Sequence, residues 1–90
     1  MGKNLGADVD ELDRLAKLFE QEAHKIQGAI SSINSKIAGV WWSGRDADQF
    51  KNAWASHHKP GLQKVMTALE QAGQQVKREA MQQRQTSGMA

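Results

Sequence analysis

Apolar residues recur along the first half of the chain at Leu12, Leu15, Phe19, Ala23, Ile26, Ile30, Ile33, Ile37 and Val40, three or four positions apart each time. This spacing returns side chains to one face of an α-helix and is close to a coiled-coil seam with one stutter. It predicts a helix over about 8–41, roughly 50 Å long at 1.5 Å per residue. Asp8 stands three before Glu11, as in a capping box. Asp10, Glu11 and Asp13 place negative charge at the positive pole of that helix. Gly28 lies inside it, at a cost of about 1 kcal/mol relative to alanine. Either it allows a close backbone approach or it is a tolerated glycine.

A second stripe follows at Ala47, Phe50, Trp54, His58, Leu62, Val65, Leu69, Ala72, Val76 and Ala80. It predicts a second helix over about 46–84. Ser43 with Asp46, or Asp46 with Gln49, offers a capping box at its start. Lys77, Arg78 and Arg84 suit the negative pole at its end. Pro60-Gly61 interrupts the stripe. Proline removes a hydrogen bond and clashes with the carbonyl four residues back, so a kink is expected near Ser56 to Lys59. Residues 1–7 and 85–90 read as flexible ends around a hairpin over 8–84.

Two long helices joined by a short corner form an antiparallel hairpin. Such a hairpin has only two layers, and each helix has a wider apolar stripe than one neighbour can cover. Leu18 and Met66 widen it further. The expected fold class is therefore all-α, a helix-turn-helix hairpin that dimerises into a four-helix bundle. The expected core and dimer packing residues are Leu15, Phe19, Ile26, Ile30, Ile33, Ile37, Phe50, Trp54, Leu62, Val65 and Leu69.

Composition sharpens this picture. Apolar residues are 39% of the 90, low for a domain that closes its own core. The formal charge of +2 does not suggest a nucleic-acid binder, which shows a basic stripe. There is no cysteine, so no thiolate metal site can form. No apolar run is long enough to span a membrane, and the N-terminus lacks the apolar core of a signal peptide.

The corner reads Val40-Trp41-Trp42-Ser43-Gly44. Gly44 is placed to take a positive φ at little cost. If helical, the two tryptophans point about 100° apart, so only one can follow Val40 into the seam. Trp41 is expected to cap the end of the core, its indole N–H at the wet edge. Trp42, beside the turn, either does the same or walls a groove against a partner.

Trp42-Ser43-Gly44, midway between two amphipathic helices, resembles the W-x-G signature of the WXG-100 (ESAT-6-like) family. Phe50 follows the glycine by six positions and Trp54 comes four later, which extends the resemblance. It covers roughly Asp8 to Gln83. The resemblance implies helical hairpins that pair as homodimers or with a second WXG-type protein. It implies export in the folded state, without a cleaved signal peptide, by the type VII (ESX) secretion system of actinobacteria and Firmicutes. Such proteins are cytoplasmic before export and extracellular after it. Some are effectors, and others carry a larger substrate to the secretion ATPase. In the family the W-x-G turn of one chain lies beside a C-terminal Y-x-x-x-[D/E] of the other. By this resemblance Trp42, Ser43 and Gly44 are the turn half of a secretion signal. The other half is missing: there is no tyrosine, no aromatic residue follows Trp54, and Gln75 stands four before Glu79. A partner then supplies it, or the chain is not exported by that signal. Alternatives are an intracellular adaptor hairpin for a larger toxin and a plain structural coiled-coil module.

Other chemistry is sparse. His57 and His58 are neighbours, expected on different helix faces and so poor joint metal ligands. His58 falls on the apolar stripe and reads as a buried, hydrogen-bonded histidine. Asp46 and Asp48 are explained by the helix start. No nucleophile–base pair or phosphate loop is visible, so an enzyme is not expected, nor a cofactor or metal. The segment K-R-E-A-M-Q-Q-R reads as a solvated helix terminus. A membrane-active helix needs a strongly cationic face, and these helices carry mixed charge.

Overall fold

The computed structural model describes residues 6–89, all-helical apart from the approach to the first helix and one short corner. Helix α1 runs Val9–Gly39 and α2 runs Arg45–Ala53. A π-helical turn, Trp54–His58, leads without a break into α3, Lys59–Met89. The chain is thus a hairpin of two long helical arms. Its Cα radius of gyration is 19.9 Å and its extents are 68 × 17 × 14 Å. A compact chain of this length has a radius near 12 Å, so the hairpin is a rod, two helices thick in one direction only.

The start of α1 is fixed by its cap. The Asp8 carboxylate accepts from the backbone N–H groups of Asp10 and Glu11, at 3.1 and 3.3 Å. These donors have no partner inside the helix. Asp8→Ala is expected to lower stability by about 1 kcal/mol, read as a shift in the urea midpoint at unchanged slope.

The far end differs from the sequence expectation. Helix α1 stops at Gly39, not Trp41, and Val40 is extended at φ −81°, ψ 137°. Glycine is a poor helix residue and a frequent terminator. The next helix is capped differently too. Its N-cap is Gly44, with φ 110° and ψ 180°, and no side chain caps it. Neither Ser43 nor Asp46 makes the expected box. Asp46 and Asp48 lie in the first turn, where their charge meets the helix dipole. The positive φ explains why glycine stands at 44.

The interruption at Pro60 is absorbed where expected, by a widened turn. The Lys59 N–H reaches back five residues to the Trp54 carbonyl. Ser56 Oγ donates to the Asn52 carbonyl at 2.6 Å. The stripe positions 50, 54, 58 and 62 are four apart, a spacing that drifts on an α-helix. The wider turn takes up that drift, so Phe50 and Leu62 reach one groove. Helix α3 then continues to Met89, past the expected end at Arg84. The expected flexible stretch over residues 1–7 falls largely on 1–5, outside the described residues.

The arms meet through small side chains. Ala16, Ala23 and Ile30, seven apart on α1, are buried, as are Ala47, Gly73 and Ala80 on the returning arm. At Gly73 the approach is close: a Cβ there would lie 3.0 Å from Phe19 Cβ and 3.2 Å from the Ala16 carbonyl oxygen. Gly28, in contrast, has nothing within 4 Å of the same position, so no backbone approaches it. Near the corner, Trp54 Nε1 donates to Asn34 Oδ1 at 2.7 Å, fixing the register of the arms. At the open end, the Arg84 guanidinium donates to both oxygens of Asp13 and lies 3.7 Å from Asp10. That hydrogen bond holds the Asp13 carboxyl below its usual pKa, and the carboxylate raises that of Arg84. Lys77 and Glu20 approach to 4.0 Å between these two points.

Candidate functional site

A seam built from alanine and glycine sets the arms close together and leaves the large side chains outside it. Of the expected core, only Ile30 is buried within the hairpin. Phe19, Ile26, Ile37, Trp54, Leu62 and Leu69 are half-buried. Leu15, Ile33, Phe50 and Val65 are exposed, as is Leu18 beside them. In one chain these residues are therefore an edge and not a core. The physical reason is geometric: two helices at close range cover only a narrow stripe of each, and alanine and glycine occupy it.

These exposed and half-buried residues share one side of the rod. Phe19, Ile26 and Ile33 are seven apart on α1, and Leu62, Leu69 and Val76 are seven apart on α3. Two concavities lie along this edge. Near the open end, Leu15, Leu18, Phe19, Glu22 and Leu69 enclose a shallow cleft. Near the corner, a groove of about 700 Å³ is lined by Ile33, Phe50, Trp54, Leu62, Val65 and both neighbouring histidines. Another side of the hairpin is polar, with a hollow lined by Glu20, His24, Glu70, Gln74 and Lys77 over Gly73.

The histidines depart from expectation. His58 is exposed and makes no buried hydrogen bond. His57 and His58 do not diverge to separate faces. Their rings stack edge-on with centroids 5.2 Å apart, and both line the groove. The π-helical turn changes the angle between successive residues, which α-helical spacing does not anticipate. Among the described residues no group of three or more His, Asp or Glu side chains is placed to hold a metal ion. No described helix is long and apolar enough to cross a membrane.

At the corner, Trp42 packs on Phe50, ring centroids 5.5 Å apart and tilted by 41°. Lys51 Nζ donates to the Trp42 carbonyl at 3.2 Å, tying the loop to α2. Ser43 is exposed, and Gly44 opens α2. Trp42 thus joins the corner loop to the groove through Phe50. Trp41 does not cap the core: it is 91% exposed, and Val40 is exposed with it. The extended backbone at Val40 carries both residues off the helical path that would have brought one into the seam.

Ala16 and Gly73, which meet closely between the arms, were not among the residues expected from sequence to form the core. A search for large apolar residues passes over them. The available signal was the heptad of small residues: Ala16 and Ala23 on one arm, Gly73 and Ala80 on the other.

No protein-family model, curated protein or solved structure matches this chain.

Proposed function

We propose that this protein is a non-enzymatic helical hairpin of the WXG-100 type. In this reading it is exported by the type VII secretion system or partners a substrate of it. It works as one half of a four-helix bundle, paired with a copy of itself or with a second WXG-type hairpin, and is delivered to the secretion ATPase. The observation that carries the reading is the exposed apolar edge ending at a W-x-G corner. Leu15, Leu18, Ile33, Phe50 and Val65 are open to solvent on one side of the rod, and Trp42 sits at its end against Phe50.

Surface area supports pairing. The chain exposes 6876 Å², whereas a compact monomer of 10.0 kDa exposes about 5,200 Å². The excess, about 1,600 Å², is in the range that one partner buries in an obligate dimer. With the edge covered, the alanine seam and the large apolar residues form one core.

The test is export. The protein is expressed together with a hairpin that carries a C-terminal Y-x-x-x-[D/E], in a host with a type VII system and in the same host lacking the secretion ATPase, and culture medium and cells are assayed. The expected result is protein in the medium of the first host only, abolished by Trp42→Ala with the helical content unchanged. Retention in the cells of both hosts contradicts export. The chain has no tyrosine, so the C-terminal half of the signal must come from another chain. That observation favours a second reading, an adaptor hairpin that stays inside the cell, and retention in both hosts is its expected result.

A further inference from the structure

The histidine pair of the π-helical turn stands in a stretch without carboxylates. His57 and His58 are exposed, and their rings meet edge to face with centroids 5.2 Å apart. No Asp or Glu lies between Asp48 and Glu70 on their own arm, nor between Glu22 and Asp46 on the facing one. The charged groups of the surrounding elements are Lys36 on α1, Lys59 and Lys64 on α3, and Arg45, Asp46, Asp48 and Lys51 on α2. Lys36 and Lys64 line hollows elsewhere on the rod. Asp46 and Asp48 are in the first turn of α2, the nearer of them nine residues before His57, about 13 Å along a helix. The ion pairs of the described residues, from Arg14–Glu11 to Arg84–Asp13, all lie on the open-end side of that stretch.

The pair also sits where the hydrogen-bond ladder of the arm is altered. The Lys59 N–H reaches back to the Trp54 carbonyl, and Pro60, next in the chain, has no N–H to give. Trp54 opens this turn, and its indole donates to Asn34 on the other arm at 2.7 Å. Five residues, Trp54–His58, thus hold both rings, the widened turn and a bond that ties the arms at the corner. Both rings line the groove together with Phe50, Trp54 and Leu62. Neutral rings gain from an edge-to-face contact, in which a positive edge meets a negative face. Protonated, each ring is a cation, and the same closeness is repulsive.

We infer that His57 and His58 form an acid-sensitive switch in the corner of the hairpin. Histidine changes charge between about pH 8 and pH 5. When both rings hold a proton they part, the π-helical turn rearranges, and Trp54 releases Asn34. The groove, apolar with two neutral imidazoles at neutral pH, becomes a groove with two cations in acid. Lys59, the next residue, adds its charge to the same turn. No carboxylate stands close in sequence to hold the rings in place once they are charged. The switch belongs to a single chain and does not rest on the pairing reading above.

The test is nuclear magnetic resonance on the full, isotope-labelled chain, titrated from about pH 8 to about pH 5. Solvent exchange of the Trp54 indole N–H is read against that of Trp41, which is 91% exposed and serves as the internal reference. The expected result is a gain of at least ten-fold in this relative exchange at the acid end, in step with the titration of the two imidazole signals. In His57→Gln the second charge cannot form, and the gain is expected to vanish. His24→Gln, on the other arm, is expected to keep it. High salt is expected to shrink the response of the unmodified chain, because exposed charges are screened. Level Trp54 exchange while both rings titrate overturns the inference. So does a gain that survives in His57→Gln or ignores salt. If His57→Gln loses its helical content by circular dichroism, the unmodified chain at low and high salt decides alone.

Discussion

Ile30→Asp unfolds the hairpin or brings it close to unfolding. Ile30 is 3% exposed and, among the described residues, is the one large side chain buried in the seam, continuing the Ala16–Ala23 stripe toward the corner. Removing it from the interior forfeits about 1.5–3 kcal/mol of burial. The carboxylate that replaces it would occupy a place that is 3% exposed, where a charge is costly. An unpaired buried charge adds several kcal/mol more. A total of about 4 kcal/mol or above is most of the stability of a small domain. The thermal midpoint is expected to fall by at least about 15 °C, or the cooperative transition to disappear. Ile30→Val serves as the control, at about 1 kcal/mol. An unchanged midpoint in Ile30→Asp means that the arms do not meet at this seam.

Gly73→Leu acts on the same seam through the backbone. The added Cβ alone meets Phe19 Cβ at 3.0 Å and the Ala16 carbonyl oxygen at 3.2 Å. The second contact is with main chain, which cannot rotate away. The arms must separate, which opens the seam at Gly73 and pulls Phe19 from its half-buried place. Overpacking of this kind costs about 1–3 kcal/mol or more. It outweighs the gain of about 1 kcal/mol expected from replacing a helical glycine. Gly28→Ala, where nothing lies within 4 Å, keeps that gain and is expected to raise the midpoint. The opposite signs at two glycines, one per arm, test whether the hairpin closes on residue 73. If both variants stabilise, the close approach is wrong.

Sequence alone revealed the two arms, the Asp8 cap and the position of the interruption before Pro60, because each is written in local residues. The periodicity of large apolar residues located the stripes but not which part of each stripe lies inside. That choice depends on how near the arms approach, and the approach is set by Ala16 and Gly73, which carry no apolar bulk. The corner was legible as a corner. The fate of Trp41 was not, since it hinges on Val40 leaving the helix in an extended conformation. The facing of His57 and His58 into one groove follows from a π-helical turn, which α-helical angles misplace. In the candidate site, Trp42, Gly44, Phe50 and Trp54 were all singled out from sequence. The contact of Trp42 with Phe50 needed the structure.

In the proposed pairing the apolar edge is covered by another hairpin. The most direct test of that pairing is the light-scattering mass of the protein expressed alone, after size exclusion, with circular dichroism on the same peak. The expected result is a helical species of about twice the 10.0 kDa chain mass. A helical, cooperatively unfolding species at the mass of a single chain contradicts it.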